Sequence, residues 1–415
     1  MTRFDELYKK LVSDTMNGVE LDQLEKDNKD LYDHTQLDCL LHPEKYPPVW
    51  RMVDCHCPPE KQEECASICP FDAMHPGKTG VEINSEQCIS CGYCIDHCHG
   101  HKLMASRDII PTLQAVRKHE GLSYALIAPA FLGQFSSDVT PGKLRNALKR
   151  IGFDGMIEVS LFADILTLKE ALEFSHNIHD QSDYQLTSCC CPIWIAMIRK
   201  IFNQLMPHVP GSVSPMIASG RTIKHLHPDA LTVFIGPCIA KKSEAKEPDI
   251  ADAIDYVLTF QEVQDIFDAM NVNPAEMEES EKDHSSRAGR IYARTGGVSE
   301  AVSDMVHRLS PNHPIEIKTK AADGVPDCRA MVKEIQEGKI TANFYEGMGC
   351  RGGCVGGPKS IIDVKSGTDN VNEYGDSATY PTPIDNPYVI ELLQRLGFET
   401  VESLLNDSEF FTRHF

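Results

Sequence analysis

The sequence predicts an α/β protein with mostly parallel sheets, preceded by a small cysteine-rich unit and closed by a helical segment. Three observations carry this. From about residue 110, apolar runs of strand length alternate with helical patterns; examples are Tyr124–Ala128, Leu231–Ile235 and Ile340–Phe344. Strands separated by helices pair in parallel. Residues 48 to about 104 are dense in cysteine and turn residues, and Asn386 to Phe415 has the spacing of an amphipathic helix.

Taken in order, residues 1–47 form a charged helical lead-in, with Phe4, Leu7 and Leu11, then Leu21 and Leu24, at helical spacing. Residues 48–108 make the cysteine-rich domain, 109–362 the α/β body and 363–415 the C-terminal part. Within the last, the polar stretch Asp363 to Thr382 reads as a linker or long loop, with helix after it.

The bulk numbers narrow the function. A chain of 415 residues with 41% hydrophobic content can bury a substantial core. Met1 to Lys10 is mixed and charged, so no secretory leader is expected, and the apolar run Tyr124 to Gly133 is broken by Pro129. A membrane span needs roughly 20 apolar residues. A soluble, cytoplasmic protein with no membrane partner is expected. A formal charge of -21 disfavours nucleic acid as a partner. Sixteen cysteines without a leader read as metal ligands or redox groups, not as a disulfide scaffold.

Eight of them fall in two runs. The first is Cys55, Cys57, Cys65 and Cys69, followed by Pro70; the second is Cys88, Cys91, Cys94 and Cys98. The second run has the spacing of a bacterial two-cluster ferredoxin, in which three thiolates of one run share a [4Fe–4S] cubane and the fourth ligates the other cluster. Cys69, Cys88, Cys91 and Cys94 then hold one additional cluster, and Cys55, Cys57, Cys65 and Cys98 a second. The first run is stretched, and His99 follows Cys98 where proline is usual. Zinc accounts for four cysteines easily, but poorly for eight in crossed runs. His97 and His99 flank Cys98 and read as exposed loop histidines; Cys39 and Cys328 read as buried structural thiols.

Three further sets lie far apart: Thr187-Ser188-Cys189-Cys190-Cys191-Pro192-Ile193-Trp194, Pro237-Cys238-Ile239-Ala240-Lys241-Lys242-Ser243-Glu244, and Glu346-Gly347-Met348-Gly349-Cys350-Arg351-Gly352-Gly353-Cys354-Val355-Gly356-Gly357-Pro358. In order and separation they resemble the three signature motifs of the iron-only, or [FeFe], hydrogenases. The resemblance runs over about residues 48–415. It implies two α/β lobes with a buried H-cluster between them, a ferredoxin-like α+β domain alongside and a C-terminal helical wrap. The H-cluster is a [4Fe–4S] cubane bridged to a diiron unit that carries CO, cyanide and an azadithiolate.

Carried over by motif, the cubane ligands are Cys191, Cys238, Cys350 and Cys354, with Cys354 as the bridge. Lys241 would donate to a cyanide; the alternative is a surface lysine, a role for which Lys242 is available. Met348 would pack against the diiron unit, against the alternative of plain core filling. Cys190 would pass protons to the site. Anchoring the first motif on Thr187-Ser188 moves ligand and relay one residue back; the anchor on Pro192-x-Trp194 is preferred. Phe162 to Glu173 resembles the family's relay helix, with Glu170 and Glu173 on one face; the alternative is a solvated helix face. Pro129, Ala130, Gly236 and Pro237 would line the cofactor.

Three positions depart from the better-known members: Gly236 stands where methionine is usual, Ala130 where serine is, and Cys189 where serine is. An altered preference between H2 evolution and uptake is therefore expected. The implied activity is reversible reduction of protons to H2, with a ferredoxin-type carrier as electron partner and hydrogenase maturation proteins to install the diiron unit. The rival readings are a cluster-bearing assembly factor without that unit, and a hydrogen sensor.

Overall fold

The computed structural model describes residues 3–98, 100–187, 190–280 and 282–414. Its body holds two parallel sheets. The larger has four strands in the order Gly155–Glu158, Ser123–Ile127, Leu231–Gly236, Tyr256–Thr259, all parallel. From Ser123–Ile127 the chain first adds a strand on one side and then crosses to the other. That reversal opens a crevice beyond the carboxyl ends of Ser123–Ile127 and Leu231–Gly236, the place where open α/β sheets bind ligands. Ala128–Pro129–Ala130 and Pro237–Cys238 leave the sheet there, and the Ala128 N–H donates to Ile235 O at 2.9 Å.

The second sheet is Thr319–Asp323, Phe344–Met348 and Gln185–Leu186, again parallel. Its carboxyl ends lead into Met348–Cys350 and toward Cys190–Cys191. The helix Ser160–Asn177, in which every residue from Phe162 to Phe174 is buried, packs against the helices Gly297–Leu309, Arg287–Arg290 and Pro215–Leu226. A helix covered on all sides has little amphipathic character.

The strand expected at Ile340–Phe344 lies four residues later, at Phe344–Met348. The later segment looks less apolar because it contains Glu346. That carboxylate is fully buried and accepts the N–H groups of Gly296 (2.8 Å) and Ser299 (2.7 Å) at the start of the helix Gly297–Leu309. A helix N-terminus favours a negative charge, which allows glutamate inside the strand.

The stretch Asp363 to Thr382, read as a linker, is largely the helix Val364–Asp376. Asp363 caps it by accepting from Ser366 N at 3.0 Å. Its packing face uses glycines. A Cβ on Gly367 would lie 3.0 Å from Val355 Cβ, and one on Gly375 2.8 Å from Ile291 Cγ2. Close backbone approach replaces large apolar side chains here, which hides the helix from a hydropathy reading. Downstream, helix covers only Pro387–Arg395, a short 3-10 turn spans Val401–Asn406, and Thr412 pairs with Ser212.

The lead-in comprises the helices Arg3–Met16, Leu21–Asn28 and His34–Leu41. Phe4, Leu7, Tyr8 and Leu11 turn into the common core, and the Tyr8 hydroxyl donates to Asp265 Oδ2 at 2.8 Å. The cysteine-rich part is tied by two antiparallel pairs, Val49–Arg51 with Leu103–Ala105 and Met74–His75 with Glu82–Ile83. Among the described residues no helix is long and apolar enough to cross a membrane.

Candidate metal centre

Cys191 directly precedes the helix Pro192–Ile201, and its sulfur accepts the Gly349 N–H at 3.2 Å. This contact requires the strand and the helix to touch. A Cβ on Gly347 would sit 2.1 Å from the Trp194 ring, and one on Gly349 2.4 Å from Ile193 Cγ2. Trp194 is fixed in turn by donating to Thr187 O at 3.0 Å. Cys238 follows the strand Leu231–Gly236 and starts the turn into the short helix Ala240–Glu244. Cys350 and Cys354 bracket Gly352 and Gly353, whose φ values of 79° and 90° suit glycine. A Cβ on Gly353 would lie 2.7 Å from Thr295 N.

The four thiols converge. Burial pushes Cys191 up to about 12, and Cys190 and Cys238 add repulsion. Burial likewise raises Cys350, with Cys238, Cys191 and Cys354 behind it, and raises Cys354, with Cys191, Cys190 and Cys238 behind it. Four enclosed sulfurs make poor thiolates unless a cation shares the site. A cubane supplies that compensation and takes four cysteines. The donor set fits such a cluster.

The surroundings of the four are specific. Cys190 is buried, with Sγ 4.0 Å from Met348 Sδ, and Met348 is itself enclosed. Lys241 is buried, pairs with Glu244 Oε2 at 2.6 Å and feels both Cys238 and Cys354. Lys242 is not a surface lysine. It is fully buried, 3.1 Å from Glu262 Oε1 and 3.0 Å from Ser106 O. Its charge is held by the Glu262 and Asp108 carboxylates, so both lysines of the pair serve the interior. Ala130 is enclosed just beyond the first strand, and its carbonyl accepts Gln134 Nε2 at 3.1 Å. Pro129 opens the same turn, and the Pro237 carbonyl accepts the Lys359 N–H at 2.9 Å.

At Gly236 the space for a side chain is already filled. A Cβ there would lie 2.8 Å from Phe234 Cε1 and 3.1 Å from Ala128 Cβ. The missing methionine therefore leaves no void on that side. Cys189 lies outside the described residues, as does His99.

Glu170 and Glu173 do not face solvent. Glu170 is fully buried, and Glu173 is held by Lys169 Nζ (2.6 Å) and by Ser212 Oγ, 3.3 Å from each carboxylate oxygen. Burial raises Glu173 above the usual carboxylate range, and the Lys169 charge pulls against it. The sequence reading missed Ser212, Phe234, Glu244 and Glu346. Glu244 and Glu346 stand inside the quoted motifs and were within reach of it. Cys328, buried as expected, donates its thiol to Met348 O at 3.3 Å, directly behind the site.

Within the two N-terminal runs, neighbouring thiols act on one another. Burial raises Cys91 and Cys94 to about 12, with Cys88 and Cys69 among the groups that add to it. Burial also raises Cys65, followed by repulsion from Cys98, Cys57 and Cys55. Backbone N–H groups already point at three sulfurs: Ala73 to Cys69 (3.4 Å), Ser90 to Cys88 (3.4 Å) and Lys102 to Cys98 (3.3 Å). His97 is exposed and engages Tyr93 O at 2.9 Å. The first set abuts the main site. Ile239 packs with Cys88 and Cys94, a Cβ on Gly92 would lie 2.8 Å from Ile239 Cδ1, and Cys91 is among the groups that raise Cys350.

The family model for the iron only hydrogenase large subunit, C-terminal domain, matches residues 122–358, which span both sheets and all four converging cysteines. The chain belongs to this family. Iron hydrogenase 1 of Clostridium pasteurianum is 27% identical over 307 residues, covering 61% of this chain and 53% of that protein. The NADP-reducing hydrogenase subunit HndD of Solidesulfovibrio fructosivorans is 26% identical, covering 78% and 66%. The chain thus spans only about half to two thirds of the length of these two relatives. The human nuclear prelamin A recognition factor is 22% identical, covering 72% of this chain and 80% of that one. A solved variant of the [FeFe]-hydrogenase HydA1 from Chlamydomonas reinhardtii superposes with a TM-score of 0.61 at 21% identity, over 74% of this chain and 98% of that one. The iron-only hydrogenase fold is therefore shared, and one relative of this chain is named for another role.

Proposed function

We propose that the chain is a hydrogenase that interconverts protons, electrons and H2 at an H-cluster held by Cys191, Cys238, Cys350 and Cys354. The observation that carries this reading is the enclosed Cys190 thiol, 4.0 Å from Met348 Sδ and one residue from Cys191. A protein that only carried a cubane would have no use for an extra enclosed thiol beside its ligand.

When bound, the H-cluster would supply the redox chemistry, storing electrons in the cubane and joining them to protons at the diiron unit. The protein's part is separate. Lys241 would place a buried ammonium toward an anionic ligand, with Glu244 fixing its head. Met348, Pro129 and Ala130 would enclose the site and keep water out. Cys190 would hold the proton nearest the site, and Glu170 and Glu173 would lead to it from Ser212 and Lys169. The two N-terminal cysteine sets would hold [4Fe–4S] clusters that pass electrons inward past Ile239. A ferredoxin-type carrier is the proposed donor, with maturation proteins installing the diiron unit and the cytoplasm as the setting.

One observation favours a second reading, a cluster-bearing assembly protein without the diiron unit. Ala130 and Gly236 offer no side-chain donor, and Phe234 crowds Gly236. The two readings part on turnover. Anaerobically matured protein with a reductant should evolve H2, and Cys190→Ala should lower the rate by about 10²–10⁴-fold with iron content unchanged. Unchanged turnover in that variant would remove Cys190 from the proton path, and no turnover in the parent protein favours the second reading.

A further inference from the structure

Electrons must reach the cysteine-rich domain from outside, and a chain of charge -21 repels an acidic carrier over most of its surface. One cleft departs from that charge. It lies where the N-terminal helices, the cysteine-rich domain and the α/β body meet, has a volume of about 730 Å³, and is lined by Arg3, His101, Lys102, Arg107 and Lys359. Its carboxylates are mostly spent internally. Glu262 accepts Lys242 Nζ at 3.1 Å and Asp108 N at 2.7 Å, and Asp265 accepts the Tyr8 hydroxyl at 2.8 Å. Asp5 lines the cleft as well, and Asp96 lies close enough to act on Lys359.

The cations are held ready. Arg107 stacks on Tyr8, 4.1 Å from the ring centroid, and on Phe4 at 5.3 Å. Lys359 is half-buried and touches the Gln261 side-chain carbonyl at 3.3 Å, a neutral partner. Burial pulls its ammonium below the usual range; Glu262 opposes this and Arg107 adds to it. An arriving carboxylate would relieve both penalties. The cleft also borders both cysteine sets. The Lys102 N–H donates to Cys98 Sγ at 3.3 Å, and Ile95, next to Cys94, forms part of the wall.

We infer that this cleft is the docking site of an acidic redox protein, which inserts surface carboxylates between Lys102, Arg107 and Lys359 and passes its electron to the clusters behind Cys98 and Cys94. The inference rests on the hydrogenase reading only for the direction of electron flow. One electron moves per encounter, from the reduced carrier to an oxidised cluster, with no bond made or broken.

The test follows cluster bleaching by stopped flow in iron-loaded protein, so it does not depend on H2 turnover or on the diiron unit. A reduced, strongly acidic two-cluster ferredoxin is the probe, and the methyl viologen radical cation is the control. The double variant K102Q/K359Q should lower the second-order rate with ferredoxin by about tenfold at low salt and flatten its salt dependence. Reduction by viologen should be unchanged, and K102R/K359R should keep the parent rate. Ferredoxin reduction at the parent rate and parent salt slope in the glutamine variant overturns the inference. So does an equal loss with viologen, which would mean damage to the clusters and not to docking. Failure of the hydrogenase reading shows elsewhere, as absent H2 turnover in protein that still bleaches with the same salt dependence.

Discussion

The interlobe site and the cysteine-rich domain present the same ligand in opposite settings. Cys191 is enclosed, its sulfur bonded by the Gly349 N–H, and the Trp194 and Ile193 side chains leave no room for anything larger than Gly347 and Gly349. Cys55 and Cys57 lie in irregular chain and Cys65 on the helix Pro59–Ser67, all three only partly buried, and Arg51 NH1 approaches Cys55 Sγ at 4.0 Å. The interlobe set is built by the ends of two parallel sheets; the outer set is built by loops and the short helix Pro59–Ser67. An enclosed ligand such as Cys191 would suit a centre shut off from water, and partly buried ligands near the surface would suit exchange with a mobile partner. The inner site is costly to assemble, and the outer one is easy to reach.

Substitutions can break this contrast. The largest effect is expected from Cys350→Ala. Iron should fall by about four atoms per chain, and all H2 turnover should vanish, because the proposed cubane loses one of its four ligands. Cys57→Ala should remove a similar amount of iron. Turnover with viologen should persist, while turnover with ferredoxin falls, because the proposed outer cluster would lie only on the carrier's route. Equal loss with both donors would erase the distinction between the sites. Iron analysis and paired assays read both variants.

A smaller effect concerns a buried carboxylate of the helix Ser160–Asn177. Asp164 accepts Ser286 N at 2.7 Å and Gly289 N at 2.8 Å, yet burial raises it to about 6 from an ordinary 3.8. The folded chain therefore keeps a proton at pH values where the unfolded chain has lost it. Stability from this group is fully present below about pH 4 and is lost as pH rises through about 6. Asp164→Asn should flatten that part of the profile, read as the urea midpoint between pH 4.5 and pH 7. An unchanged slope would mean that the hydrogen bonds outweigh burial.

Much of this was legible in the sequence because ligand spacing is local chemistry. The proposed crossed pairing of Cys69 with Cys88, Cys91 and Cys94 rests on run spacing, and the strands at Tyr124 and Leu231 follow from apolar runs. Glu346 was harder, since a charged residue inside a strand makes sense only once the helix Gly297–Leu309 points its N-terminus at it. The helix Val364–Asp376 hid because glycines, not leucines, form its contact face. Phe234 beside Gly236 was invisible as well, because which of two residues on one strand face fills a space depends on the neighbouring strand, here at Ala128. The burial of Lys242 depends on Glu262 and Asp108, which no motif links to it.

Whether the interlobe site is more than a sheltered cubane is read most directly by infrared spectroscopy of protein matured anaerobically with its diiron unit. The hydrogenase reading predicts absorption from CO and cyanide bound to iron, lost in Cys350→Ala and kept in Cys57→Ala. A matured sample with full cubane iron and no such bands would contradict it.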